Sequence, residues 1–177
     1  MEVTQHAAQV VMCGETYGGL TEAGVGLIPA GGGIKEMLRR ALAFVPDNLP
    51  DANVLPYIRR AFESLAMAKI STSGPELIKL GYLTENEFVC INDHHQVKRA
   101  KDVCRSLVIA GYIPPKPAKL AVLGESVRAA FRSVVYQMQL SGWATEHDAL
   151  ITEHLARTLT GGDRLPGQEM TEQDVLD

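Results

Sequence analysis

The sequence lacks several features that assign a class of protein directly. No apolar run reaches the roughly 18 residues that mark a membrane-spanning helix, and no stretch has the pattern of a signal peptide. Only 6% of the residues are aromatic, and there is a single tryptophan. The 17 basic residues are balanced by 21 acidic ones, so no basic surface for nucleic acid or anionic lipid is expected. We therefore expect a cytoplasmic protein with neither a membrane span nor a nucleic-acid partner.

Residues that bind metals or form disulfides are also scarce. The chain contains three cysteines, Cys13, Cys90 and Cys104. Their odd number and apolar surroundings predict buried free thiols. The run 92–95 (NDHH) resembles a ligand cluster, but Asn or Asp before a helix usually caps it. His147 and His154 share a predicted helix face without an evident third ligand. No metal is expected.

Predicted helices and strands alternate along the 177 residues, which suit one domain. Apolar spacing predicts helices over 34–44, 54–65, 93–111, 125–140 and 145–159, and short strands over 9–13, 16–20, 88–91 and 119–123. A loop is expected around Pro46, Asn48, Pro50 and Asp51. The prolines at 114, 115 and 117 mark the best subdomain boundary, which divides the chain into 1–113 and 114–177.

A glycine-rich turn is the most informative local pattern. The apolar residues before Pro29 are followed by Ala30, then Gly31, Gly32 and Gly33, and then a predicted helix. The unpaired N–H groups at the start of a helix suit a phosphate, a carbonyl oxygen or a polarised water. The same kind of turn also occurs in proteins where its role is only structural.

Four stretches together indicate a known family. They are 18–36 (GGLTEAGVGLIPAGGGIKE), 68–73 (AKISTS), 80–83 (LGYL) and 161–163 (GGD). The sequence resembles the enoyl-CoA hydratase (crotonase) family, and in particular the hydratase module fused to bacterial 3-hydroxyacyl-CoA dehydrogenases. The resemblance implies an α/β fold with helix predominant, in which later turns of a crotonase-like ββα spiral precede packing helices.

The resemblance also implies a lyase activity in fatty acid β-oxidation, the hydration of 2-enoyl-CoA to 3-hydroxyacyl-CoA. Glu2 and Glu22 match the two family glutamates and would be catalytic, since a pair of carboxylates can handle the water and the α proton. Ala30 and Gly31 would bind the substrate. The acyl-CoA thioester is the expected partner, and this segment should hold no cofactor, with NAD confined to the dehydrogenase part.

Both ends of the sequence resemble points of truncation, so we expect the chain to be an internal fragment of a longer polypeptide. The family draws its oxyanion donors from segments before Glu2, and the loss of both should leave the isolated fragment almost inactive. The missing half of its own parent chain is then an expected partner, and a homo-oligomer is expected. The alternative is a non-catalytic assembly or docking segment of the dehydrogenase. A nucleotide-binding module is disfavoured because no Gly-x-Gly-x-x-Gly follows a strand.

Overall fold

The computed structural model describes residues 1–45 and 53–177. These residues form eight α-helices, with four short strands between them. The helices are α1 (Glu2–His6), α2 (Gly33–Leu42), α3 (Leu55–Ala66), α4 (Gly74–Lys79), α5 (Gln96–Ile109), α6 (Glu125–Leu140), α7 (Glu146–Thr160) and α8 (Glu172–Leu176). The prediction of an α/β chain with helix predominant is confirmed.

The strands form two separate two-stranded sheets. Strand β1 (Val11–Cys13) pairs in parallel with β2 (Phe88–Cys90), and β3 (Lys119–Ala121) pairs antiparallel with β4 (Glu169–Thr171). The predicted strand over 16–20 is wrong, because only Gly18 forms a bridge there, opposite Ser71. Each sheet joins segments that are distant along the chain.

The hydrophobic core lies between α2, α3, α6 and α7. Leu38, Leu65 and Leu155 are completely buried in it. The rings of Phe62 on α3 and Phe131 on α6 stack with their centroids 4.1 Å apart and their planes 7° apart. Residues from both sides of the predicted boundary at 113/114 thus contribute to one core. The division into 1–113 and 114–177 stays a prediction.

Most predicted helix bounds agree with the structure to within about two residues. Helix α6 has the predicted bounds, and α7 begins after the N-cap Thr145 and ends at Gly161. Ser73 caps α4 and Thr171 caps α8. The loop predicted around Pro46, Asn48, Pro50 and Asp51 lies outside the described residues. No helix in the described part is long and apolar enough to cross a membrane.

Helix α5 departs from the prediction of a buried apolar stripe. Val103 is the one buried residue on it, whereas Val97, Val108 and Ile109 are 66%, 75% and 87% exposed. Cys104 is also exposed, so the prediction that it is a buried thiol is wrong. The helix contacts chiefly β1 and the turn that precedes it, and nothing in the described residues covers its outer face.

Candidate functional site

The glycine-rich turn allows α1 to lie directly against the start of α2. Gly31 and Gly32 have φ angles of +61° and +91°, which side chains disfavour. A Cβ on Gly31 would lie 3.0 Å from Cγ of Glu2, and one on Gly32 would lie 3.0 Å from Cε1 of His6. The turn therefore permits close packing of α1.

Glu2 is half-buried over this turn. Its carboxylate lies 3.3 Å from the terminal amino group of Met1. The pKa of Glu2 is lowered, first by a hydrogen bond from its own backbone N–H and further by the neighbouring positive charges. A carboxylate with a lowered pKa is a poor general base near neutral pH.

Glu22 lies in a different environment. It opens a short 3-10 helix, Glu22–Val25, and its Oε2 atom is buried with no hydrogen-bond partner in the described part of the chain. The nearby Tyr82 side chain is completely buried, and its hydroxyl donates to the carbonyl of Lys69 at 2.8 Å. Burial raises the pKa of Tyr82, and the Glu22 carboxylate raises it further.

The four residues predicted for the site are not joined into one polar constellation. Among residues 1–45 and 53–177, no hydrogen bond or ion pair links Glu2 to Glu22. Ala30 is exposed, and its carbonyl accepts a hydrogen bond from the Gly33 N–H at 3.1 Å. Gly31 contacts the Glu2 side chain, as described above. The catalytic and substrate-binding roles of these residues stay predictions.

The structure instead gathers a buried group of charges at the start of α2, which we call the ionic cluster. Its members are Lys35, Glu36, Arg39, Arg40 and Glu172. Lys35 Nζ lies 2.9 Å from Glu36 Oε1 and 3.0 Å from Glu172 Oε2. Arg39 Nη2 lies 2.8 Å from Glu36 Oε2. Burial raises the pKa of Glu36, but Arg39 and Lys35 outweigh it and hold this pKa at about 2.

Arg40 extends the cluster into the core and binds backbone there. Its Nη2 donates to the carbonyl of Gln5 at 2.6 Å, and its Nη1 donates to the carbonyl of Tyr82. Among the residues that the structure describes, its Nε atom is buried without a partner, as is Oε1 of Gln5. The guanidinium thus links α1, α2 and the segment after α4.

Sequence reasoning missed this cluster, because arginines on a helix usually lie on solvated faces or pair with acidic neighbours. Arg59 does pair with Glu63, at 2.6 Å, whereas Arg40 is buried. No local signal indicated the cluster, because the apolar residues of α2 lie on one face and its charges are covered by α1 and α8, which are distant in sequence.

His94 and His147 make hydrogen bonds within the fold, through the backbone N–H and the imidazole ring respectively. The Asn92 side chain accepts a hydrogen bond from the His94 N–H at 3.1 Å, which confirms the predicted cap. His147 Nε2 lies 3.0 Å from the carbonyl oxygen of Gly26. Within the described ranges, no group of three or more potential ligands could hold a metal ion.

An apolar pocket of about 250 Å³ lies between the 3-10 helix and α3, α6 and α7. Its walls include Ala23, Phe62, Met67, Val135, Trp143 and Ile151. Trp143 is 79% exposed at this pocket. The pocket combines residues far apart in sequence, so no local pattern indicates it.

Comparison with known proteins supports the resemblance to 3-hydroxyacyl-CoA dehydrogenases. The chain is similar to a probable 3-hydroxyacyl-CoA dehydrogenase of Bacillus subtilis (strain 168), with 37% identity over 171 residues. The alignment covers 97% of this chain but 21% of that relative, so the chain spans about a fifth of its length. No family model and no solved structure matches the chain.

The comparison also corrects the predicted activity. The relative is named as a dehydrogenase, and no comparison supports the crotonase resemblance. The prediction of a lyase that hydrates 2-enoyl-CoA is therefore wrong. The chain is similar, along nearly its whole length, to one part of a probable 3-hydroxyacyl-CoA dehydrogenase.

Proposed function

We propose that this chain is a non-catalytic assembly or docking segment of a protein similar to 3-hydroxyacyl-CoA dehydrogenases, which act as oxidoreductases in fatty acid metabolism. The observation that carries the proposal is the alignment of 97% of the chain with 21% of the Bacillus subtilis relative. About four-fifths of that relative lies outside the aligned part. An NAD site would belong to that remainder.

Two features of the chain support a structural role. Its sequence lacks the Gly-x-Gly-x-x-Gly turn after a strand that would bind a dinucleotide. The acidic members of the ionic cluster, Glu36 and Glu172, are engaged by Lys35 and Arg39 within the fold. The pairing of Lys35 with Glu172 joins α2 to α8.

The surface proposed for docking is the outer side of α5, which we call the α5 face. Its apolar members, Val97, Val108 and Ile109, are all largely exposed. The helix also carries four basic residues, Lys98, Arg99, Lys101 and Arg105, against one acidic residue, Asp102. The matching occupant is an apolar patch with an acidic rim on the remainder of the dehydrogenase-like polypeptide.

The proposal is tested by mixing the purified chain with the part of the Bacillus subtilis relative outside the aligned region. We expect sedimentation velocity to detect a complex. The Val108→Asp substitution should weaken it at least about tenfold, because a charge would be desolvated at the contact. The isolated chain should not reduce NAD with 3-hydroxybutyryl-CoA.

Leu150→Asp is the matched control, since Leu150 is also exposed on a helix, α7, but lies away from the α5 face. This variant should bind like the wild type. Absence of a complex, or equal weakening by both substitutions, would exclude docking through α5. NAD reduction by the isolated chain would exclude a non-catalytic role.

A further inference from the structure

Two of the three cysteines lie opposite each other at the ends of paired strands. In the parallel sheet of β1 and β2, Cys13 is the register partner of Cys90. Both residues are half-buried, and both are free thiols. Neighbouring strands lie about 4.8 Å apart, which is within the roughly 4.4–6.8 Å that a disulfide spans between Cα atoms. The two backbone positions can therefore accommodate a disulfide.

The side chains of the two cysteines lie on the same face of the sheet, the face on which α5 packs. Register partners share a face, and residues two positions apart along a strand share it too. Phe88, two residues before Cys90, has the guanidinium carbon of Arg99 over its ring, 4.7 Å from the centroid. Cys13 Sγ lies 3.2 Å from Oε1 of Gln96, the first residue of α5. Both thiols thus lie beside the start of the same helix.

The two thiol groups hold the start of α5 by hydrogen bonds. The Cys13 S–H donates to Gln96 Oε1, and Gln96 Nε2 donates in turn to the carbonyl of Val11 at 3.0 Å. The Cys90 S–H donates at 3.2 Å to the carbonyl of Asn92, the residue that caps the turn before α5. A disulfide has no S–H donor, so oxidation of this pair would remove both thiol contacts.

We propose that Cys13 and Cys90 form a reversible disulfide and that its formation loosens the start of α5. The oxidant is a low-molecular-weight disulfide such as glutathione disulfide. The Cys90 thiol contact is exposed to solvent, so its thiolate attacks the oxidant first and forms a mixed disulfide, which releases one glutathione thiolate. The Cys13 thiolate then attacks the Cys90 sulfur and displaces the second glutathione. Both cysteine protons pass to the glutathione thiolates, and the oxidant gains the two electrons that the cysteines lose.

Cys104 lacks this arrangement. It is exposed on α5, about 12 Å further along the helix than Gln96 by the helical rise. Oxidation there can attach glutathione or link two chains, whereas an accessible thiol beside a resolving thiol is the arrangement of redox-sensing sites. The proposal is independent of the docking role, because every measurement below uses the isolated chain.

The test equilibrates the chain with mixtures of reduced and oxidised glutathione and then blocks the remaining thiols with iodoacetamide. We expect mass spectrometry to detect the loss of two hydrogen atoms and a pair of peptides linked through Cys13 and Cys90. Excess reduced glutathione should reverse the link. In the oxidised chain, amide hydrogen exchange over residues 93–99 should be at least about twofold faster, the effect of losing weak hydrogen bonds.

Cys104→Ser is the matched control and should form the link like the wild type. Cys90→Ser should form no link, and Cys13→Ser should stop at the mixed disulfide of Cys90 with glutathione. Since serine is slightly smaller than cysteine and both positions are half-buried, these variants should fold, which circular dichroism can verify. The wild type and Cys104→Ser decide the proposal even if they do not.

Three results would overturn the proposal. The first is glutathione adducts without a link between Cys13 and Cys90 in the wild type. The second is a link that disappears in Cys104→Ser. The third is equal amide exchange at the start of α5 in the reduced and oxidised chains, which would leave the disulfide without an effect on the helix.

Discussion

Glu36 is the residue on which the charges at the start of α2 converge. Its carboxylate is almost fully buried beside Lys35, Arg39 and Arg40. Glu36→Gln keeps the shape but leaves buried cations without their counter-charge. We expect a loss of about 3–5 kcal/mol in the free energy of unfolding, measured with urea at pH 7.

The same residue predicts a pH dependence. The pKa of Glu36 is about 2 in the fold against 4.5 as the reference value. A lowered carboxylate pKa stabilises the fold above about pH 4.5, and this contribution is lost as the pH falls towards 2. The difference in stability between wild type and Glu36→Gln should therefore shrink by about 3 kcal/mol over that range.

Glu125→Gln is the control, because Glu125 pairs with Arg128 and Arg132 at the surface. It should leave the urea midpoint at pH 7 almost unchanged, because exposed ion pairs contribute little to stability. Equal losses from the two glutamates would show that burial does not strengthen the ionic cluster. A difference in stability between the wild type and Glu36→Gln that stays constant with pH would show the same.

At the scale of single elements, α7 is stabilised by a local capping box. Thr145 Oγ1 accepts from the Asp148 N–H at 3.1 Å, and Asp148 Oδ2 accepts from the Thr145 N–H at 2.9 Å. Thr145→Ala should therefore lower the free energy of unfolding by about 1 kcal/mol in a urea titration. Thr145→Ser keeps the hydroxyl and should lose less than half as much. Equal losses would assign the effect to packing instead of capping.

The elements also show how far the sequence could predict the fold. The bounds of α6 and α7 were predictable because their signals, Thr145 and the glycines at 142 and 161, act within a few residues. The exposure of α5 was not predictable from the sequence. Apolar periodicity identifies the apolar face of a helix but does not show whether another element covers that face. The ionic cluster and the apolar pocket were missed for the same reason. Each depends on contacts between distant segments.

Across the whole molecule, the stacked pair Phe62–Phe131 joins the segments before and after the prolines at 114, 115 and 117. Phe131 is almost fully buried, so Phe131→Ala should cost about 3–5 kcal/mol. Because both segments share one core, we expect Trp143 fluorescence and far-ultraviolet circular dichroism to follow one coincident urea transition in both the wild type and the variant. Tyr136→Ala, at an exposed position of the same helix, should change stability by less than about 0.5 kcal/mol. Two separated transitions, with the substitution moving only one, would mean instead that residues 1–113 and 114–177 unfold independently.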